Sequence, residues 1–350
     1  LMLSYGRIEL AILAFTPILI SLLWIVVIIA LLNIPFNIFS IILSAFIFGL
    51  GDDYSIFMMD GLLQEYKSGK KFLHSYKTAV FLSALTTLIG VGVLIFAKHP
   101  ALKSIALTTI VGMFSVVLIS YTVAPAIFHW MTRVGTGRRA HPVTLGLLLY
   151  AVLEYTWFIS VSLAIFLLGG LLYLIPVKKC FRQRLFHYLL FFLGRSTMGL
   201  MFLAKKRKIN ITKETFRKPA LIICNHQSVV DIPLTLGFTP RLVMITNEKV
   251  YRFPLMGRLV RMGGFYSSSR GYAEMVDELR TFTDQGYSIL IFPEGTSSRD
   301  RKILRFHKGA FYLAEQLGLD ILPVVTHGTG EYVRKGEYVA RPATITVKAL

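Results

Sequence analysis

The run Ala220-Leu221-Ile222-Ile223-Cys224-Asn225-His226-Gln227-Ser228-Val229-Val230-Asp231 decides how the second half of this chain folds. An apolar stretch stops at a polar turn, and Pro233 stands where the first turn of a helix tolerates a residue without an N–H. Strand, loop and helix in that order form the repeating unit of an α/β fold. Further apolar runs follow at Leu242 to Ile245, Ser288 to Phe292, Ile321 to Val325 and Thr344 to Val347. Helical patterns at Ile232 to Leu236, Lys249 to Arg261, Ala273 to Gln285 and Lys308 to Leu317 separate them. This alternation predicts a partly parallel mixed sheet covered by helices over residues 205–350.

Upstream of that domain the composition changes. Of the 350 residues 54% are apolar and 16% charged, yet the formal net charge is +19. Nucleic-acid binders share the basic excess but are rarely this apolar, whereas membrane proteins with basic cytoplasmic flanks have both properties. Four stretches reach the ~20 residues that cross a bilayer: Leu10 to Leu32, Pro35 to Met59, Ala79 to Ala97 and Ser104 to Trp130. Lys67, Lys70, Lys71 and Lys77 follow the second, and Arg133, Arg138 and Arg139 follow the fourth. The positive-inside rule puts both clusters in the cytoplasm and outvotes Lys98 and Lys103 on the short outer connection.

A second apolar block, Val143 to Ile175, contains Glu154 and the Gly169-Gly170 pair. Basic residues flank the block on both sides, so a re-entrant or transmembrane hairpin is expected there; one tilted span is the alternative and would put the catalytic domain outside. From Lys178 to Lys218, twelve Lys or Arg face a single Glu214, interleaved with apolar runs. That mixture, Lys205 to Lys208 included, predicts a basic amphipathic segment on anionic lipid heads. The expected division is a four-helix transmembrane bundle over 1–132, a linker over 133–204 and the α/β domain over 205–350. Both ends read as cut, since the chain opens inside an apolar run and stops in a strand. Cys180 and Cys224 are expected as free thiols.

His226 falls at a strand's carboxyl end, where α/β folds place ligands. Asp231, five residues on, can accept the Nδ1 proton and leave Nε2 free as a general base. Alternatively Asp231 is an ordinary helix N-cap and His226 a loop histidine. Phe292-Pro293-Glu294-Gly295-Thr296 also follows an apolar run, with Arg299, Arg301, Lys302, Arg305 and Lys308 beyond it. Backbone amides, a hydroxyl and cations together suit a phosphate. Gly263-Gly264 and Arg270 end another strand-like run, and Pro323 sits in the one after. No His/Cys spacing fits a metal. Cys224 reads as a buried structural cysteine rather than a nucleophile.

Residues 205–350 resemble the 1-acylglycerol-3-phosphate (lysophospholipid) acyltransferase family. Its His-four-residues-Asp block matches His226 and Asp231, and its Phe-Pro-Glu-Gly-Thr block is complete at Phe292 to Thr296. Gly264 with Arg270, and Pro323, look like its second and fourth blocks, and Phe306-His307-Lys308-Gly309-Ala310 is similar to the run after its third. Ser297 stands where the family usually has arginine, and Ser267 and Ser268 replace apolar residues. The resemblance implies acyl transfer to a lysophosphatidate-type hydroxyl from acyl-CoA or acyl-carrier protein, without an acyl-enzyme and without a cofactor. His226 and Asp231 would be catalytic. Asn225, Gly264, Arg270, Glu294, Gly295, Thr296, Arg299, Lys308 and Pro323 would bind substrate. The serine departures leave room for a pigment, polyene or amino-acid lipid as acceptor.

Residues 1–132 resemble the last four helices of a resistance-nodulation-division transporter of the large mycobacterial type. Gly51-Asp52-Asp53-Tyr54 matches its proton relay at Asp53 and Tyr54; Thr86, Thr87 and Pro125 match other positions. Carboxylates at membrane depth usually face a bundle interior, and Asp60 shares the helical face of Asp53. The resemblance implies a bacterial inner-membrane protein whose catalytic domain faces the cytoplasm, with membrane lipids as partners. The alternative function is the tail of a proton-driven lipid exporter.

Overall fold

A computed structural model of the chain describes residues 6–31, 38–134, 137–139, 142–176, 178–210, 213–300 and 302–350. They form two compact units, Leu1–Leu145 and Gly146–Leu350.

The first unit contains α1 (Ile8–Leu31), α2 (Ile38–Ser68), α3 (Leu73–Gly92) and α4 (Pro100–Thr132). Residues 32–37, with the expected break at Pro35, lie outside the described residues. Leu13, Met58, Met59, Leu62 and Met113 are buried between the helices, while Leu23, Val26, Phe81 and Phe114 point outward. An apolar exterior around an apolar interior is the pattern of helices solvated by lipid. The helices Ile8–Leu31, Leu73–Phe96 and Pro100–Thr132 are long and apolar enough to cross a membrane. Glu65 pairs with Arg133 at 3.6 Å, and the Arg138 guanidinium lies 5.3 Å from the Tyr66 ring centre. These contacts bring the two basic clusters to one end of the bundle.

The second unit is built on a seven-stranded sheet. Its strands are β1 (Ala204–Asn210), β2 (Leu221–Cys224), β3 (Leu242–Thr246), β4 (Tyr266–Ser267), β5 (Ser288–Ile291), β6 (Ile321–His327) and β7 (Ala343–Ala349). The order is β1-β7-β6-β2-β5-β3-β4, and every neighbouring pair is parallel except β6 with β7. β2, β3 and β5 are buried along their whole lengths. Covered on both faces, they read in the sequence as continuous apolar runs.

β1 corrects one expectation. Lys205-Lys206-Arg207-Lys208 pairs residue by residue with Thr344 to Val347. The basic row therefore belongs to an edge strand, where charged side chains discourage pairing with another chain. Its charge masked its β character.

The covering helices are α7 (Asp231–Leu236), α8 (Glu248–Arg252), α9 (Met256–Met262), α10 (Tyr272–Thr283), α11 (Gly309–Leu317) and α12 (Thr329–Tyr332). The one helix expected over Lys249 to Arg261 is two. Pro254 forces Phe253 into an extended conformation, φ −62° and ψ 135°, and stops the first.

Residues 143–175 are likewise not a hairpin. One helix, α5 (Leu145–Leu174), runs through Gly169-Gly170, and the chain turns only at Pro176 before α6 (Lys179–Leu200). Nor are these helices a detached linker. Phe158, Val161, Ile165 and Phe166 of α5 pack into the core beneath the sheet. The Tyr150 hydroxyl lies 2.8 Å from that of Tyr332, which donates to Glu154 at 2.5 Å. The other face of α5 exposes Leu149, Val152, Leu167 and Leu171. On α6, a Cβ at Gly194 would come within 2.5 Å of the Pro233 carbonyl oxygen. Only glycine lets α6 cross this closely over α7, the helix that begins at Asp231.

Candidate active site

β2 ends at Cys224, and the next seven residues turn back over the strand ends into α7. Asp231 is fully buried. Its Oδ2 accepts the Gln227 and Ser228 backbone N–H groups at 2.6 and 2.7 Å and faces His226 Nδ1 at 3.0 Å. An ionised carboxylate only accepts, so Nδ1 carries the proton and Nε2 is left with a lone pair. The N-cap reading of Asp231 does not hold, because Val230 is the cap residue and Asp231 accepts from amides that precede the helix; the same oxygen folds the loop and orients the imidazole. The His226 ring stacks on Phe292, 4.5 Å between centres at 27°, and keeps 11% of its side chain open to solvent.

Two other side chains hold this loop. Asn225 donates Nδ2–H to the Thr326 carbonyl at 2.9 Å and accepts the Thr326 N–H at 2.7 Å. Glu294 accepts the His226 N–H at 2.8 Å with Oε1 and the Leu304 N–H at 2.7 Å with Oε2. Both side chains are buried. They were expected to bind substrate, but the geometry gives them a positioning role. Ser298 adds a bond from its N–H to the His226 carbonyl at 2.8 Å.

His226 opens into a cleft of 280 Å³, where Asn247, Ser268, Tyr272, Gly295 and His307 are its nearest polar surroundings. An apolar cavity of 420 Å³ shares Ile232, Thr246 and Val250 with the cleft and extends between Phe158, Leu190 and Phe265. The cleft and the cavity thus have wall residues in common, and α5 and α6 contribute Phe158 and Leu190 to the cavity. The histidine of the Phe306-His307-Lys308 run faces the cleft, which its pattern did not reveal.

The remaining candidates divide. Gly295 lines the cleft, and Thr296 is exposed beside it. Arg299 and Lys308 are exposed on the following loop, and Arg301 lies outside the described residues. Pro323 sits within β6 opposite Ile223, three residues before Thr326, so it shapes the strand that anchors Asn225. Gly264 and Arg270 do not line the His226 cleft, although Ser268 and Tyr272 on either side of Arg270 do. Gly264 follows the end of α9 at φ 67°, where a Cβ would strike the Phe282 ring at 2.8 Å, so packing explains the glycine. It lines a separate cavity of 640 Å³ with Lys179, Arg182 and Arg261. Arg270 is paired with Glu278 at 2.8 Å.

Cys224 is buried beneath the loop, and burial pushes its thiol well above the usual range, which removes it as a nucleophile. Both cysteines are free. In the helical unit the Tyr54 hydroxyl lies 3.2 Å from Ser83 Oγ within the core, while Asp53 and Asp60 are on the exposed face. Thr86 and Thr87 both donate to the Ser83 carbonyl of their own helix.

Residues 207–327 match the acyltransferase family, and residues 1–159 match the MMPL family. The 1-acyl-sn-glycerol-3-phosphate acyltransferase of Limnanthes douglasii is 35% identical over 143 residues, 39% of this chain and 51% of that protein. The lyso-ornithine lipid O-acyltransferase of Pseudomonas aeruginosa is 31% identical over 146 residues, 41% of this chain and 53% of that protein. The crystal structure of the 1-acyl-sn-glycerophosphate acyltransferase PlsC from Thermotoga maritima aligns with a TM-score of 0.46 at 23% identity, covering 57% of this chain and 84% of that one. The chain spans about half the length of the curated relatives it matches.

Proposed function

We propose, for a chain that joins an MMPL-like region to a domain of the 1-acylglycerol-3-phosphate acyltransferase family, that it acylates the free hydroxyl of lysophosphatidate or a similar lysolipid. The observation that carries this reading is the His226–Asp231 pair, 3.0 Å apart, with His226 lining a cleft that shares Ile232, Thr246 and Val250 with an apolar cavity. The acceptor hydroxyl gives its proton to His226 Nε2 as its oxygen attacks the thioester carbonyl of acyl-CoA or acyl-carrier protein. The new C–O bond forms, the C–S bond breaks, and the imidazolium returns the proton to the leaving thiolate. Asp231 stabilises the imidazolium while it lasts. The apolar cavity suits the acyl chain, because it offers alkyl contacts and few polar groups that would be left unpaired.

The exposed apolar face of α5 supports work at a lipid surface. The basic end of the helical bundle supports a cytoplasmic side, in a bacterial inner membrane. A proton path through Asp53 would need groups from outside this helical unit, since Asp53 faces away from its core. The test is transfer of radiolabelled acyl groups by the purified chain, from acyl-CoA and from acyl-carrier protein, to a panel of acceptors. Labelled phosphatidate from lysophosphatidate is expected. Labelling of only a phosphate-free acceptor would overturn the acceptor assignment, and no labelled lipid from any acceptor would overturn the reaction.

A further inference from the structure

The third sequence block lacks a cation where its pattern asks for one, because Ser297 follows Thr296. Of the other cations the sequence offers, Arg270 is paired with Glu278, and Arg299 and Lys308 are exposed on the loop that follows. The fold brings a different cation to that place. Lys335 Nζ donates to Thr296 Oγ1 at 3.0 Å and to the Ser297 carbonyl at 2.7 Å. Lys335 lies 38 residues downstream of Ser297, on the segment that follows α12.

That segment is pinned on both sides. The Val333 carbonyl accepts the Ser228 hydroxyl at 2.7 Å, which ties it to the His226 loop. Tyr332 is buried and bonded to Glu154 of α5. Four consecutive residues thus join the lipid-facing helix, the His–Asp loop and the Gly295–Ser297 turn. An ammonium has three N–H donors, and two are used here on neutral oxygens. Among the described residues no carboxylate pairs with Lys335, which is exposed. Its charge is open to an anion one residue from cleft-lining Gly295.

We infer that Lys335 receives the anionic headgroup of the acceptor, a phosphate monoester on a lysolipid, and so sets the preference for charged over uncharged acceptors. The inference rests on the acyl-transfer reading for its substrate class. It needs no part of that reaction for its geometry. Thr296 contributes its hydroxyl to the same anion, with Lys335 holding the turn in place. A lysine suits this position because its charge sits on a flexible stem and can follow a headgroup, whereas the bonds to Thr296 and Ser297 keep it near the turn.

Binding and turnover are measured separately. In His226→Ala protein, which retains the headgroup site, lysophosphatidate affinity is measured in detergent micelles with and without Lys335→Ala. Loss of a charge-assisted contact should weaken binding about tenfold or more. Lys335→Arg should restore most of it, and unchanged melting of the double variant excludes misfolding. In protein with His226 intact, Lys335→Ala should lower the preference for lysophosphatidate over monoacylglycerol by a similar factor, mainly through KM. Unchanged affinity and unchanged preference would overturn the inference while leaving the reaction standing. Lysine-dependent binding without any acyl transfer by the unsubstituted chain would leave the anion site and sink the reaction.

Discussion

Asp231 and Asp53 were both singled out by short polar motifs in apolar surroundings, and the structure treats them oppositely. Asp231 is completely buried and faces three donors within five residues of chain. Asp53 stands on the exposed side of α2. The difference lies in where partners come from. A loop between a strand and a helix folds back on itself and supplies the nearest donors to its carboxylate from its own residues. A helix carries its side chains outward at 100° intervals, and a carboxylate on it finds partners only on other helices. A motif in a turn is therefore better grounds for a site than an equally short motif within a helix.

Asp231→Asn should show the largest effect on this contrast. The amide cannot stabilise the imidazolium, so kcat is expected to fall about 10²–10⁴-fold. An asparagine variant with near-normal kcat would show that the carboxylate only holds the loop.

A smaller effect is expected at His187, which is buried with partial satisfaction. One ring nitrogen lies 2.6 Å from the Gly263 carbonyl, and the ring packs among Phe265, Phe282 and Tyr287. Burial pulls its pKa down from 6.5 to about 4. The folded state then binds fewer protons than the unfolded state between these values. Stability is fully present above pH 6.5 and falls as the pH drops towards 4, by ~3 kcal/mol from this group. Melting of the second unit across that range, with His187→Gln as comparison, should show the slope flattened in the variant. Equal slopes would contradict the assignment.

Asp53→Asn should do least. The substitution is expected to leave acyl transfer intact, because Asp53 and His226 belong to different compact units. A marked loss of transfer would show that the exposed face of α2 is engaged.

Much of the site was legible before the fold was known. The strand ending at Cys224, the helix starting at Asp231 and the five-residue spacing together place the dyad. The central strands declare themselves because burial on both faces leaves nothing but apolar residues. What stayed hidden depends on distant partners. Nothing near Lys335 marks it as the neighbour of Thr296, and nothing near Arg270 announces Glu278. Asn225 and Glu294 were recognised as site residues, yet their bonds to Thr326 and Leu304, which hold the His226 loop, come from elsewhere in the chain. β1 was misread because four consecutive cations look the same on a strand edge as on a lipid surface. α5 is the single helix that stood as the alternative: basic residues on both sides of the block pointed to a hairpin, and the packing of the helix against the sheet is not visible in local sequence.

The His226–Asp231 account is tested most directly by acyl transfer from purified His226→Ala protein whose melting matches that of the unsubstituted chain. The account requires transfer to lysophosphatidate to drop by at least about 10²-fold. Turnover within a few-fold of the original would mean that some other group takes the hydroxyl proton.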